Sequence, residues 1–253
     1  MENIRELLDI KLLSQTFNAT LTTGLQLDSA KLVAGLYANL ENCISVLSDM
    51  KARKSYIYYG AVAAQLKLNN QPSEINSIWE DELLSRVHAD DLQKKYRLEL
   101  QFFQLLNTLS IDDRHCFEVI TRLRVKIPEG KYIAFKHRLM YINSSEDESI
   151  WLALCLYNRV YEHSGFAVPD GVIINNRTGE IIDINQQKFT DILSAREKEI
   201  LHLVKLGCRS KEIADQLSLS INTINRHRQN IFQKLNVTNA IEACRVAEGI
   251  GAI

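Results

Sequence analysis

Between Ser194 and Leu235 the chain uses one device three times: a cap-forming residue, a short amphipathic run and a breaker. Such a run is constrained to three short helices with tight corners, and a tight turn between the second and third makes a helix-turn-helix. Ser194 with Glu197 three positions on has the capping-box spacing, and Gly207 stands where a left-handed C-terminal cap closes the first helix. Ser210 is expected to cap and begin the second helix and Ser220 the third, with Ser218 and Leu219 as the turn. Ile200, Leu203 and Val204, then Ile213, Ala214 and Leu217, then Ile224, Ile231 and Leu235 recur at helical spacing and can share one small core.

A rotation of about 100° per residue along the third helix, 221–235, puts Ile224, Ile231 and Leu235 on its inner side. Asn222, Asn225, Arg226, Gln229 and Gln233 fall on the outer side. Arginine matches the major-groove edge of guanine bidentately and asparagine or glutamine matches adenine, each good pair contributing roughly 1–3 kcal/mol of discrimination. The N-terminal half of a recognition helix reads the bases, which selects Asn225, Arg226 and Gln229 as base contacts. An isolated helix with this face would be read as merely solvated; the three-helix context turns the reading toward DNA.

Over 193–250 the chain resembles the LuxR-type helix-turn-helix family of bacterial transcription regulators. The resemblance rests on Leu193-Ser-x-Arg-Glu-x-Glu-Ile-Leu201, Gly207, Ser210-Lys-Glu-Ile-Ala214, Leu217, Ser220, Thr223-Ile224, His227, Asn230-Ile231 and Lys234-Leu235-x-Val237. Carried over by position, it implies that Asn225, Arg226 and Gln229 meet base edges and that Ser210, Lys211, Thr223, His227 and Arg228 lie near phosphates, contacts that position without specifying. Arg228 equally suits a role covering the core edge with its aliphatic stem, and Thr223 a role stabilising the helix start. Two positions depart from the family. Asn225 stands where lysine is usual, exchanging a charge for a base-reading amide, and Ala240 where arginine is frequent in a fourth helix that commonly helps form a dimer.

Charge supports the division. The whole chain is close to neutral, with 30 basic and 31 acidic residues, yet residues 194–238 hold eight basic side chains against four acidic ones, and the rest is acidic. The start, Met1-Glu-Asn-Ile-Arg-Glu6, has neither a basic leader nor an apolar core, and no run of about 18 apolar residues occurs, so no membrane partner and a cytoplasmic location are expected. Cys43, Cys116, Cys155, Cys208 and Cys244 are scattered and odd in number, which suits reduced core thiols over a disulfide frame; a redox-sensing thiol is the alternative. His88, His115, His137, His163 and His202 show no metal-ligand spacing, so no metal is expected, and the cofactor stays unknown, haem and flavin both being open.

Upstream, Ile4, Leu7, Leu8 and Leu12, then Leu32, Leu36 and Leu40, predict helices within 1–40 that either dimerise or cover the next domain. Ile44-Ser-Val-Leu47 and Ser55-Tyr-Ile-Tyr-Tyr59 predict a hairpin, Ala61–Leu68 a short helix, and 75–109 a helical region with His88-Ala-Asp-Asp91 capping its long segment. Three long strands follow, at about 116–127, 131–143 and 149–160, separated by Pro128-Glu-Gly130 and Ser144-Ser-Glu-Asp-Glu148. Arg122, Arg124 and Lys126 alternate with Leu123, Val125 and Ile127, a solvated face or, alternatively, a site for an anion. Asp90 and Asp91 read as helix caps, with no nucleophile beside them to make acid/base carboxylates. A further hairpin, 172–182, is expected to tether the two domains.

Two strands, several helices and three antiparallel strands resemble a PAS domain, a sensory fold with helices on one face of a five-stranded sheet. The fold class expected is therefore α+β: a PAS-like antiparallel five-stranded sheet with helices, followed by an all-α four-helix helix-turn-helix domain. Its limits are 1–40 for the N-terminal helical segment, 41–187 for the PAS-like domain and 188–253 for the DNA-binding domain. The resemblance implies a homodimer on double-stranded DNA that responds to a small-molecule signal, with half-sites about one DNA turn apart and no catalytic residues. An enzyme acting on a signal molecule, with the C-terminal module docking or regulating it, is the alternative, and a docking adaptor that no longer binds DNA is a third; no nucleophile–base set or phosphate loop supports catalysis.

Overall fold

Strand alternation builds the larger unit, residues 11–184, while the first ten residues group with 185–253 as a second. The computed structural model describes residues 2–17, 23–144, 149–161, 170–182 and 192–253. His163, Pro169 and most of the expected 144–148 turn lie outside the described residues. Strand β4 (Phe117–Lys126) turns Val119, Thr121, Leu123 and Val125 inward, and β5 (Tyr132–Ser144) does the same with Phe135, His137, Leu139 and Tyr141. Next to it β6 (Ile150–Arg159) is buried on both faces over its first eight residues, as a central strand must be. The predicted first hairpin forms as β1 (Ile44–Asp49) and β2 (Lys54–Tyr59), and β1 pairs antiparallel with β6.

Among the described residues the sheet holds eight strands, not the five expected. Beyond the order β2-β1-β6-β5-β4, β3 (Ser73–Ile75) extends one edge and β7 (Gly171–Asn175) with β8 (Ile181–Ile182) the other. Each pairing is antiparallel. The 172–182 hairpin is thus part of the sheet, with β7 running along β4 from Gly171 opposite Thr121 to Asn175 opposite Phe117.

The expected helical region 75–109 is broken. Ser73–Ile75 pairs with Ser55–Ile57, α3 (Val62–Gln65) and α4 (Asp81–Leu84) are single turns, and only α5 (Ala89–Leu106) is long. Its start is fixed by pairing to β4: Val87 bridges Val125, the His88 amide donates to the Arg124 carbonyl, and the extended His88 then caps the helix by accepting from the Asp90 amide. The cap is His88, not the carboxylates; Asp91 instead accepts from the Arg124 amide and guanidinium at 2.7 and 2.8 Å. Arg124 is therefore ion-paired rather than simply solvated.

Helices cover both faces of the sheet, where one was expected. Helix α5 packs on β4 and β7, while α2 (Thr23–Leu40) lays Ala30 and Ala34 against Leu47, Leu152, Leu154 and Leu156 on the opposite face. Small residues let α2 lie close to the strands, and its outer side leaves Leu25, Leu32, Leu36 and Leu40 exposed. Helices α1 (Glu2–Leu13) and α6 (Ile111–Arg114) complete the elements up to β4.

The second unit carries α7 (Ala195–Lys205), α8 (Ser210–Leu217), α9 (Ile221–Leu235) and α10 (Ala240–Gly249). Ile200, Leu201, Ile213, Ala214, Ile224, Ile231, Leu235, Ala243 and Val246 are its buried core. Ile4 of α1 packs against Gly249 of α10.

Candidate nucleic-acid interface and the buried sites of the sheet unit

Four local devices set the helix-turn-helix. The Ser194 hydroxyl accepts from the Glu197 amide while the Glu197 carboxylate accepts from the Ser194 amide at 2.7 Å, so the predicted capping box is complete. Gly207 has φ +87°, the left-handed conformation that a side chain would strain. Helix α8 is capped one residue earlier than expected: position 209 has the extended cap conformation, and the Glu212 carboxylate accepts its amide at 2.6 Å, so Ser210 is the first helical residue and not the cap. Ser218 makes the corner in the left-handed region, and the Ser220 hydroxyl accepts from the Thr223 amide at 3.0 Å to open α9.

Three contacts tie the helices of the module together, two of them through α9. Lys234 donates to the buried Glu197 at 2.7 Å, Arg196 donates to the Leu217 carbonyl at 3.0 Å, and Arg228 donates to the Ser210 hydroxyl at 3.2 Å. Neither the Glu197–Lys234 pair nor the Arg196 tether was read from the sequence. Burial, the largest influence on Glu197, pushes its carboxyl up, but the hydrogen bonds from Lys234 and Ser194 outweigh it and hold the group below the usual carboxylate range.

On the outer side of α9, Asn222, Asn225, Arg226, Gln229 and Gln233 are exposed, while Ile224, Ile231 and Leu235 are buried on the other. Asn225, Arg226 and Gln229 stand together on its first two to three turns. Of the expected phosphate contacts, Lys211 is exposed, and Ser210, Thr223, His227 and Arg228 are half-buried. The structure brings Ser210 and Arg228 together, and it joins the Thr223 hydroxyl to that of Ser220 at 2.8 Å. Thr223 thus contributes to the start of α9. Helix α10 begins at Asn239, whose side chain accepts from the Glu242 amide at 2.9 Å, and it presents Ile241 almost fully to solvent.

Residues 191–247 match the model of a family described as bacterial regulatory proteins, luxR family. The C-terminal module is a LuxR-type helix-turn-helix. Among curated proteins, the oxygen regulatory protein NreC of Staphylococcus carnosus is 40% identical over 72 residues, 28% of this chain and 33% of that protein. The transcriptional regulatory protein ComA of Bacillus subtilis is 41% identical over 69 residues, 27% of this chain and 32% of that protein. The chain thus spans about a third of the length of these relatives. Among solved structures, the phage VqmA–DPO complex is similar over 92% of this chain and 91% of that one, with 13% identity and a TM-score of 0.32. A Vibrio cholerae VqmA dimer is similar over 89% and 88%, with 16% identity and a TM-score of 0.26.

The sheet unit encloses polar groups that sequence reading missed. Lys95 and Glu99, one turn apart on α5 and both buried, pair at 2.7 Å. The Tyr157 hydroxyl donates to the carboxylate of Glu80, and His137 lies fully buried with its ring 4.7 Å from that of Tyr157 and its Nε2 3.8 Å from Glu99. Among the described residues neither ring nitrogen of His137 has a hydrogen-bond partner. Burial, and then the nearby Lys95 charge, push His137 well below the usual histidine range, so its ring is neutral. Burial works against the Lys95 charge, but Glu99 and Glu80 hold its pKa above the ordinary value, so it stays an ammonium. His137 falls on the inward side of β5 with Phe135, Leu139 and Tyr141, and that alternation was the signal for it.

Two spaces adjoin this cluster. A small space of about 20 Å³, room for one water, is lined by Ser48, Lys95, Glu99, Tyr141 and Cys155, with Trp79 and Glu80 as part of its wall. A cleft of about 410 Å³ lies over Ile44, Ile57, Leu68, Ile75 and Leu83, and Trp79 and Glu80 line it too. Cys43, Cys116 and Cys155 are buried free thiols, and burial pushes Cys43 up to about 12, which leaves it unreactive as a thiolate. Among the described residues no group of three or more histidine, cysteine or carboxylate side chains is placed to hold a metal ion, and no helix is long and apolar enough to cross a membrane.

Proposed function

We propose that the protein is a transcriptional regulator that reads operator DNA with α9 and senses a small molecule through a PAS-like unit. The observation that carries the reading is the exposed trio Asn225, Arg226 and Gln229 on a helix held from behind by Ile224, Ile231, Leu235 and the Glu197–Lys234 pair. In this assignment Ser210, Lys211, Thr223, His227 and Arg228 sit near phosphates and no residue is catalytic. The PAS-like reading of 41–187 is supported by the central order β2-β1-β6-β5-β4, two strands and then a three-stranded meander with helices between them. A homodimer is supported by the leucine-rich outer side of α2, where Leu32 is 67% and Leu36 48% exposed. The domain limits 1–40, 41–187 and 188–253 and a cytoplasmic location belong to the same proposal.

The test is selection of genomic fragments on the full chain at about 50 mM salt, followed by affinity measurement on the enriched site. Enrichment of a common inverted repeat is expected, with Arg226→Ala weakening binding to it roughly 10- to 100-fold, the equivalent of one lost bidentate base contact. No fragment retained at low salt would overturn the reading.

A further inference from the structure

The cleft beside β3 has a definite chemical bias. Its floor is apolar, from Ile44, Ile57, Leu68, Ile75 and Leu83, and Trp79 and Tyr59 offer aromatic rings. Its charged lining residues are Glu80, Asp81 and Glu82, with no lysine or arginine among them. Glu80 differs from its two neighbours in being buried, only 4% exposed, and in lining both the cleft and the small space beside Lys95 and Glu99.

In the cluster around Glu80 the acidic side chains outnumber the basic one. It sets one cation, Lys95, against two carboxylates, Glu80 and Glu99, and the Lys95 ammonium pairs with Glu99. The neutral His137 supplies no second positive charge. Among the described residues, the hydrogen bond that reaches the Glu80 carboxylate comes from Tyr157, a neutral donor. A buried carboxylate whose hydrogen bond comes from a neutral donor gains from a cation that approaches it, and Glu80 lines the open cleft.

We propose that this cleft binds a small organic cation, an amine with an apolar or aromatic body. The body covers the isoleucine and leucine floor, and the charge is drawn to Glu80. A carboxylate- or phosphate-bearing ligand is disfavoured by the buried Glu80. This rests on the sensory reading of the sheet unit and names the class of its signal.

The full chain is titrated with three probes of one shape, phenethylamine, 2-phenylethanol and 3-phenylpropionate, up to about 10 mM by ligand-observed NMR, a range that captures millimolar affinities. The expected order is amine, then alcohol, then carboxylate, with the amine at least about tenfold ahead of the alcohol. Glu80→Gln should erase the amine preference, and Glu82→Gln on the exposed rim should keep most of it. Circular dichroism and the denaturant midpoint of the Glu80→Gln protein verify that it is folded. Equal binding of the three probes, no binding of any, or a preference that survives Glu80→Gln in folded protein would overturn the proposal. DNA affinity is read on the same preparations, so an amine preference in a protein that binds no DNA would sink the regulator reading and leave the site standing.

Discussion

Glu197 at the start of α7 and Lys234 at the end of α9 meet at 2.7 Å, and the same Glu197 oxygen closes the capping box by accepting the Ser194 amide. One carboxylate therefore starts the first helix of the module and anchors the last turn of its recognition helix. Because the folded pKa of Glu197 is depressed, its contribution to stability is complete above the unfolded value, near 4.3, and is lost as pH falls through the folded value. Glu197→Gln should destabilise the C-terminal unit by about 1–2 kcal/mol at neutral pH, the scale of a lost cap with a half-exposed ion pair. Denaturant unfolding should show that deficit shrinking below about pH 4. A deficit that stays constant down to pH 2 would show that the charge plays no part.

Asn225 is exposed on α9 next to Arg226, where the resembled family usually has lysine. Restoring the charge with Asn225→Lys should add about one phosphate-type contact, steepening the slope of log affinity against log salt by about 0.9. Affinity for unrelated DNA should rise while discrimination at the facing base pair falls. Fluorescence anisotropy at four or more salt concentrations measures both, and an unchanged slope would place residue 225 away from the DNA backbone.

The helix-turn-helix was legible because its signals are local: Ser194, Glu197, Gly207 and Ser220 act within four residues of their partners. The long strands were legible through alternation, as with Val119, Thr121, Leu123 and Val125 on β4. What escaped depends on distant pairing. Ser73-Glu-Ile75 becomes a strand because β2 offers an open edge, which no local propensity records. The second covered face of the sheet follows from Ala30 and Ala34 meeting Leu152 and Leu156, residues far apart in the chain. Glu80, Lys95, Glu99, His137 and Tyr157 come from α5, two strands and a loop, and only the assembled sheet brings them to one place. Leu32, Leu36 and Leu40 were read as either a dimer face or a domain cover. In the structure Ala30 and Ala34 of α2 cover the sheet, and Leu32, Leu36 and Leu40 are exposed.

Gly60 ends β2 against the turn that joins α2 to β1, and its amide donates to the Cys43 carbonyl at 2.8 Å. A Cβ at this position would sit 2.4 Å from the Ala38 carbonyl oxygen and 2.8 Å from the Cys43 nitrogen. Both are backbone atoms, so no rotamer change relieves the clash, and the turn itself must move. Gly60→Ala should lower stability by about 2–3 kcal/mol, the upper range for overpacking, and shift the denaturant midpoint of the sheet unit. An unchanged midpoint would mean that the α2–β1 turn yields freely.

The exposed stripe of α2 makes the assembly state testable without disturbing the fold. Leu25, Leu32, Leu36 and Leu40 recur at intervals of seven and four, a spacing that keeps them on one side of the helix, and Leu36 is already half in water. A second copy of the same helix is apolar at each of these positions, so two stripes are self-complementary under a two-fold axis. Sedimentation velocity at micromolar concentration should therefore find a dimer. Leu36→Asp would place a carboxylate in that seam and should weaken association by at least about 2 kcal/mol, roughly 30-fold. Its circular dichroism should match the parent protein, because the position faces outward in each subunit. A parent protein that sediments as a monomer, or a Leu36→Asp protein with undiminished association, would exclude the α2 stripe as the dimer seam.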